Sequence, residues 1–349
     1  MSRTLRGAGL FDLQVNGFAG VDFNAETIEA EELDHALEAM LATGVTSCLP
    51  TLITAPADVL SARFAALDRA VARSRLGPLM VPGYHLEGPF LNPAEGYAGC
   101  HPPDAMRPPD GSLVERWARG LARPILVVTV APERPGGEAF VREMTAAGRV
   151  VAIGHSAADT VAVAAAAEAG ARLSTHLGNG LPQILPKVDN TLFAQLAEDR
   201  LHASFIADGI HLPPPALKAM LRAKGLHRSV LVSDAVSAAA AGPGVHPFAG
   251  LWVEHAEDGS VRLPGSRFLA GSALTLDRAV RNVVEWGIAT PDEALRLASD
   301  NPRRLMAPAL RAVSARTEAG EVGWSPDLAV LDVRLGERRW RFAEGSVMA

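Results

Sequence analysis

The chain is poor in cysteine, has no long apolar stretch and carries no concentrated charge of one sign. Only Cys48 and Cys100 are cysteines. Two cannot make a disulfide framework, and the usage fits a reducing cytoplasm. The longest apolar runs, such as 124–132, are too short to span a bilayer. The first ten residues carry Arg3 and Arg6 but no apolar core of signal-peptide length. Thirty-three basic and 39 acidic residues give a net charge of −6, and the basic residues do not cluster. Nucleic acid and anionic membrane surfaces are therefore disfavoured as partners. What is present is ordinary for a globular chain: 48% hydrophobic and 21% charged residues over 349 positions. That length suits two domains, or one α/β barrel with a small addition.

Short β-branched runs alternate with helical periodicity. The strand signals fall at 10–15, 45–50, 79–85, 125–130, 150–153, 172–175, 202–206 and 229–232. Helical patterns lie between most of them, at about 31–43, 56–75, 111–121, 136–147, 158–169, 188–199 and 213–224. The run 86–110 is instead a long Gly/Pro-rich loop. Eight strands alternating with helices predict a (β/α)8 barrel over 8–310. A doubly wound open sheet is the alternative, weakened because no glycine-rich dinucleotide turn follows the first strand. Beyond Asp234 the pattern predicts a β-hairpin insertion at 250–268, turning at Asp258-Gly259. Helices follow at 274–287, at 291–299 and from Pro302. The segment 311–349 regains strand character at 328–332 and 339–342, enough for a small β-subdomain beside the barrel.

Functional groups of a parallel barrel sit at the C-terminal ends of its strands. Glu87, His155, His176, Asp208, His211 and Asp234 all fall there. Two histidines and a glutamate make a catalytic zinc shell with a fourth position for water. The metal brings that water's pKa toward about 7. An aspartate such as Asp234 can take the water proton and pass it to a leaving amine. Each residue has a plainer reading. A single histidine after a strand is more often structural, Glu87 before Gly-Pro can bond a turn, and Asp234 can cap the next segment. Their joint placement favours metal-assisted hydrolysis of an amide or ester.

The motifs resemble those of the N-acetylglucosamine-6-phosphate deacetylase family of the amidohydrolase superfamily. The matching stretches are Phe11-Asp12-Leu13-Gln14-Val15-Asn16-Gly17, His85-Leu86-Glu87-Gly88-Pro89-Phe90-Leu91-Asn92 and Gly154-His155-Ser156-Ala157. They continue through Thr175-His176-Leu177-Gly178-Asn179-Gly180, Ile206-Ala207-Asp208-Gly209-Ile210-His211, Leu231-Val232-Ser233-Asp234-Ala235 and Leu269-Ala270-Gly271-Ser272. They run in family order from about 10 to 305. The resemblance implies a barrel of the metal-dependent hydrolase kind and removal of an N-acetyl group from an amino sugar. By position, Glu87, His155 and His176 would bind the metal, and Asp234 would be general base and then acid. His101 would lie over the acetyl carbonyl, where a donor is needed as charge develops. Asn179 and the Gly180 backbone would hold the sugar phosphate, with Asp208 and His211 nearby. Leu269, Ala270 and Gly271 would line the acetyl methyl pocket. Cys100 would touch substrate through its backbone, or be a plain loop thiol. A homodimer is implied, in which a neighbouring subunit can reach the phosphate site.

Three departures shape the expectations. Many amidohydrolases carry His-x-His after the first strand, supplying a second metal; here Gln14-Val15-Asn16 stands there. Amides are poor zinc ligands beside imidazole, so one divalent ion per subunit is expected: Zn²⁺, with Fe²⁺, Co²⁺ or Mn²⁺ able to occupy the same shell. Gln14 and Asn16 would then hold water near it. Second, Lys187 replaces the family's usual arginine, and lysine lacks the planar fork that matches phosphate. Lys187 reads equally as a solvated loop cation. Third, only about nine residues precede the first strand, so the small β-subdomain would be reduced to the C-terminal strands or be completed by another chain. The competing activities are deacetylation of an unphosphorylated or different N-acyl amino sugar, and a dihydroorotase-like or N-acyl-amino-acid hydrolase. The missing His-x-His and bridging lysine argue against the last two. A non-catalytic sugar-binding regulator is the alternative of another class, and it predicts loss of a site residue that this chain retains.

Overall fold

The computed structural model describes residues 5–266, 268–315 and 319–342. Residue 267 of the expected insertion, and 316–318 and 343–349 of the expected C-terminal segment, lie outside the described residues. Eight strands follow one another around one parallel sheet. They are β1 (Leu10–Val15), β2 (Val45–Ile53), β3 (Tyr84–Glu87), β4 (Ile125–Val130), β5 (Val150–Ile153), β6 (Leu173–Ser174), β7 (His202–Ile206) and β8 (Ser229–Val232). The ring closes between the ends of β8 and β1. There the Asp234 amide donates to the Gln14 carbonyl at 2.9 Å, and Val15 bridges Ala235 in parallel. The architecture is the (β/α)8 barrel that the alternation predicts.

The strands read as near-continuous apolar runs because helices cover their outer face while side chains fill the inside. β4, Ile-Leu-Val-Val-Thr-Val, is buried at every position. Burying one large side chain of this core, such as Phe205, contributes about 1.5–3 kcal/mol. The helices begin where side chains satisfy their free amides. Asp159 accepts from the Ala162 amide at 2.8 Å to start Thr160–Ala169. Thr290 and Glu293 form a reciprocal box at the start of Pro291–Ala298. The strand expected at 79–85 instead begins at Tyr84. Pro78 at the first turn nucleates a short helix, Gly77–Met80, ahead of it.

Besides a two-stranded pair, Gly17–Phe18 with Val21–Asp22, two larger sheets flank the barrel at opposite ends. The first lies over the C-terminal face: β9 (Gly244–Phe248), β10 (Leu251–His255) and β11 (Val261–Arg262), antiparallel throughout. The expected hairpin is β10 and β11; β9 is an additional strand. Its small core gathers Phe248, Val253, Val261 and Ala270 around Ile53 at the end of β2. The second sheet contains β12 (Glu321–Trp324), β13 (Val330–Leu335) and β14 (Arg338–Arg341). The C-terminal strands do not build it alone, because the N-terminal strand Leu5–Ala8 pairs with β12. Arg6 ties that strand down, reaching Glu321 at 2.8 Å and Asp332 at 3.1 Å. Trp324, fully buried, packs on the turn at Gly44, where a Cβ would come within 2.6 Å of the indole. This sheet therefore sits by the N-terminal ends of β1 and β2, away from the strand ends where function is expected. Among the described residues no helix is long and apolar enough to cross a membrane.

Candidate active site

The C-terminal ends of the strands surround a cavity of about 350 Å³, within the range of small-molecule sites. Glu87 is the last residue of β3 and lies 2% exposed at its floor. Its Oε1 lies 2.8 Å from His176 Nε2 and 3.5 Å from His155 Nε2, and its Oε2 lies 3.7 Å from His101 Nε2. One ligand atom each from Glu87, His155 and His176 all fall within 4.8 Å of one another. This trio could hold a metal ion.

The backbone aims these groups by leaving ordinary geometry. His155, His176 and Asp234 have φ of 50°, 27° and 48°, the left-handed region that costs a non-glycine residue of order 1–3 kcal/mol. Two glycines give the His155 ring its room. A Cβ on Gly180 would approach His155 Nδ1 to 2.6 Å, and one on Gly99 would approach Cε1 to 3.2 Å. His155 Nδ1 donates to the Tyr97 carbonyl at 2.7 Å, which leaves Nε2 as the bare nitrogen facing Glu87.

Electrostatics follow from burial and mutual contact. Burial opposes ionisation of Glu87, but the facing imidazoles, His176 first, hold it well below the usual carboxylate range. Burial likewise opposes protonation of His176, and the Glu87 carboxylate overcomes it and raises the imidazole. Burial takes His101 down to about 3, with His155 adding to the effect. Its Nδ1 rests 2.9 Å from Thr54 Oγ1. Burial pushes Asp234 up to about 6; His176 draws it back, and Glu87 adds to the rise. Asn16 Nδ2 donates to Asp234 Oδ1 at 2.8 Å. Burial pushes the Cys100 thiol up to about 12, so it is inert as a nucleophile near neutral pH.

The cavity gathers most of the residues singled out in the sequence. Glu87, His101, His155, His176 and Asp234 share it with Asn16, Cys100, Asn179, Gly180, His211, Leu269 and Gly271. Four lie elsewhere. Gln14 is buried below, inside the barrel, where its Oε1 is 3.5 Å from Thr175 Oγ1 and its Nε2 has no protein partner. Asp208 stands behind His211, its Oδ2 on Nδ1 at 2.5 Å. Ala270 points into the core of the rim sheet, and its amide donates to Val261. Lys187 is exposed on the 181–190 loop and does not line the cavity, although Leu181 and Gln183 of the same loop do. The sequence reading missed three contributors: the Tyr97 carbonyl, Gln183 and Arg262. Tyr97 acts through its backbone, which no side-chain pattern reports. Arg262 comes from a strand that looked like mere insertion.

The residues suit a divalent ion. The trio supplies nitrogen and oxygen donors of the right classes. The partnerless Gln14 Nε2 and Asn16 Oδ1, both buried, add a polar donor and acceptor nearby.

Comparison with known proteins agrees with the geometry. No family model matches the chain. N-acetylgalactosamine-6-phosphate deacetylase of Escherichia coli O157:H7 is 35% identical over 84% of this chain and 76% of its own length. N-acetylglucosamine-6-phosphate deacetylase of Bos taurus is 34% identical over 96% and 83%. Among solved structures, N-acetyl-D-glucosamine-6-phosphate deacetylase from Mycobacterium smegmatis, in complex with N-acetyl-D-glucosamine-6-phosphate, superposes with a TM-score of 0.85. It is 29% identical, with 96% of this chain and 87% of that one covered. With identity at this level over nearly the whole barrel, the chain belongs to the N-acetylglucosamine-6-phosphate deacetylase family of the amidohydrolase superfamily.

Proposed function

We propose that the chain hydrolyses the N-acetyl group of N-acetylglucosamine-6-phosphate to acetate and glucosamine-6-phosphate, using one divalent metal ion per subunit. The observation that carries this reading is the convergence of Glu87, His155 and His176 within 4.8 Å at the floor of a cavity shared with Asp234. When bound, the ion acidifies a water and polarises the amide carbonyl. Glu87, His155 and His176 hold it, and the nitrogen and oxygen donor set suits Zn²⁺ first, with Fe²⁺, Co²⁺ or Mn²⁺ as substitutes.

The rest falls to the chain's own groups. Asp234, oriented by Asn16, takes a proton from the attacking water. Water oxygen joins the carbonyl carbon while neutral His101 donates to the carbonyl oxygen, where negative charge develops. Asp234 then gives its proton to the nitrogen as the carbon–nitrogen bond breaks. Acetate and the amine leave. Leu269 and Gly271 border the space for the acetyl methyl, and Asn179, Gly180 and His211 border the sugar.

A second reading, an unphosphorylated or different N-acyl amino sugar, gains from the exposure of Lys187, the cation expected at the phosphate. One experiment separates the two. Acetate release by zinc-loaded protein is measured on N-acetylglucosamine-6-phosphate, N-acetylgalactosamine-6-phosphate and free N-acetylglucosamine. A kcat/KM preference for phosphate above about a hundredfold supports the main reading. Equal rates, or activity only on the free sugar, move the assignment to the second.

A homodimer is part of the proposal. Val161, Ile184, Val188 and Phe193 are exposed apolar groups, and Ile184 follows Gln183 of the cavity lining. Sedimentation should give twice the 36.6 kDa chain mass, and a monomer at micromolar concentration would sink this part. Cys48 and Cys100 are both free, which supports a cytoplasmic setting.

A further inference from the structure

His155 lies two residues beyond β5, and its φ of 50° persists only if the chain around it is held against relaxation. On the near side, the Gly154 amide donates to the Val130 carbonyl at 3.3 Å. On the far side, one carboxylate grips the next two residues. Glu133, three residues past the end of β4, accepts from the Ser156 hydroxyl at 2.6 Å and from the Ala157 amide at 2.7 Å.

The same carboxylate reaches a second loop. Asn92 Nδ2 donates to Glu133 Oε1 at 3.0 Å, and Asn92 lies on the segment that leaves Glu87. The Asn92 amide in turn donates to the His155 carbonyl at 3.1 Å. Asn92 Oδ1 accepts from the Ala94 amide at 2.9 Å, and the Tyr97 amide donates to the Ala94 carbonyl at 3.1 Å. That turn delivers the Tyr97 carbonyl to which His155 Nδ1 donates. Glu133 therefore stands where the loop after Glu87 meets the loop around His155. It is half-buried and does not itself line the cavity.

We propose that Glu133 is a positioning residue for the metal trio: it fixes the separation of Glu87 and His155 and the aim of the His155 ring, and so sets the affinity for the divalent ion. The proposal rests on the metal-dependent reading above. Glu133 acts through the hydrogen bonds it accepts from three neutral donors, so the reach of its oxygens matters more than its charge. Glu133→Asp keeps the charge but draws the oxygens back by one methylene. Glu133→Gln loses the charge but keeps an oxygen for Asn92 and Ala157, and its amide can donate to the Ser156 hydroxyl oxygen.

The test titrates metal-free wild type, Glu133→Ala, Glu133→Asp, Glu133→Gln and Ser156→Ala with zinc against a competing chelator, and with cobalt while visible absorption is followed. Glu133→Ala should bind zinc about ten- to hundredfold more weakly, and its cobalt absorption should change in position or intensity as the donors shift. Glu133→Asp should follow it, and Glu133→Gln should return to within about threefold of wild type. In acetate release, kcat of Glu133→Ala should fall while KM moves less than about threefold. Ser156→Ala removes one bond of the three and should show the same change, reduced. The denaturation midpoint of each metal-free protein separates positioning from plain stability. A midpoint that falls while zinc affinity and the cobalt spectrum hold overturns the proposal. So does a Glu133→Asp that binds like wild type while Glu133→Gln fails, since charge and not reach would then be at work. If Glu133→Ala does not fold, Ser156→Ala decides: unchanged zinc affinity defeats the proposal, and weaker binding upholds it. A wild type that binds no divalent ion defeats the ligand trio and the proposal with it. If wild type binds zinc yet releases no acetate from any amino sugar, the deacetylase reading falls alone, and the zinc and cobalt titrations still decide Glu133.

Discussion

The floor and the rim of the cavity are built on different terms. At the floor, Glu87, His155 and His176 stand at or just beyond barrel strands, nearly fully buried, with the partly buried Asp234 beside them on backbone that is itself paired. At the rim, Arg262 belongs to a three-stranded sheet, bridged by Leu269, that leaves Val245 and Trp252 60% exposed to solvent. The floor has the rigidity that chemistry needs, since reacting groups tolerate little misplacement. The rim packs on a separate small core of Phe248, Val253, Val261 and Ala270, outside the barrel strands. The division predicts that floor changes abolish reaction, and rim changes alter which substrate reacts.

The sharpest way to break this division is His176→Ala. Metal content should drop from one ion per subunit to nearly none, and acetate release should vanish; retained stoichiometry removes His176 from the ligand set. Next comes Asp234→Asn, which should keep the metal yet lose about 10²–10⁴-fold in kcat. A variant within tenfold of wild type means another group moves the proton. The pH profile tests the same residue. With Asp234 pushed up to about 6, its base form is populated above that pH. The rate should therefore climb to a plateau through about pH 6, falling about tenfold per unit below it. A flat profile from about pH 5 to 8 contradicts the assignment.

A smaller effect sharpens the picture. Asn16→Ala removes a hydrogen bond that favours the ionised Asp234, so the acidic limb should move to higher pH. An unmoved limb would show that Asn16 only fills space. The smallest effects belong to the rim. Trp252→Ala, at a position 60% exposed, should cost less than about 1 kcal/mol in denaturant unfolding. Phe205→Ala in the barrel should cost about 3–5 kcal/mol. Equal costs would erase the contrast between the two regions.

The same contrast explains what the sequence could and could not tell. Barrel strands were legible because burial on both faces forces apolar runs such as Ile125–Val130. Glu87, His155, His176 and Asp234 were legible because polar residues directly after such runs have few structural reasons to be there. The N-terminal strand Leu5–Ala8 was not, since Leu-Arg-Gly-Ala carries no alternation and its pairing is set by Arg6 meeting Glu321 and Asp332 from the far end of the chain. Lys187 and Arg262 show the same limit at the site. Charge is visible in a sequence, but which loop folds inward is decided by contacts such as Gly259 against Ile210. The Tyr97 carbonyl that orients His155 leaves no trace in residue identity at all.

The left-handed backbone at His155, His176 and Asp234 sets comfort of the chain against possession of a side chain. At these three positions the conformation the fold demands is the one glycine adopts most readily. A glycine at any of the three would relax the backbone and remove the group that works there, so the strain is the cost of holding those side chains in place.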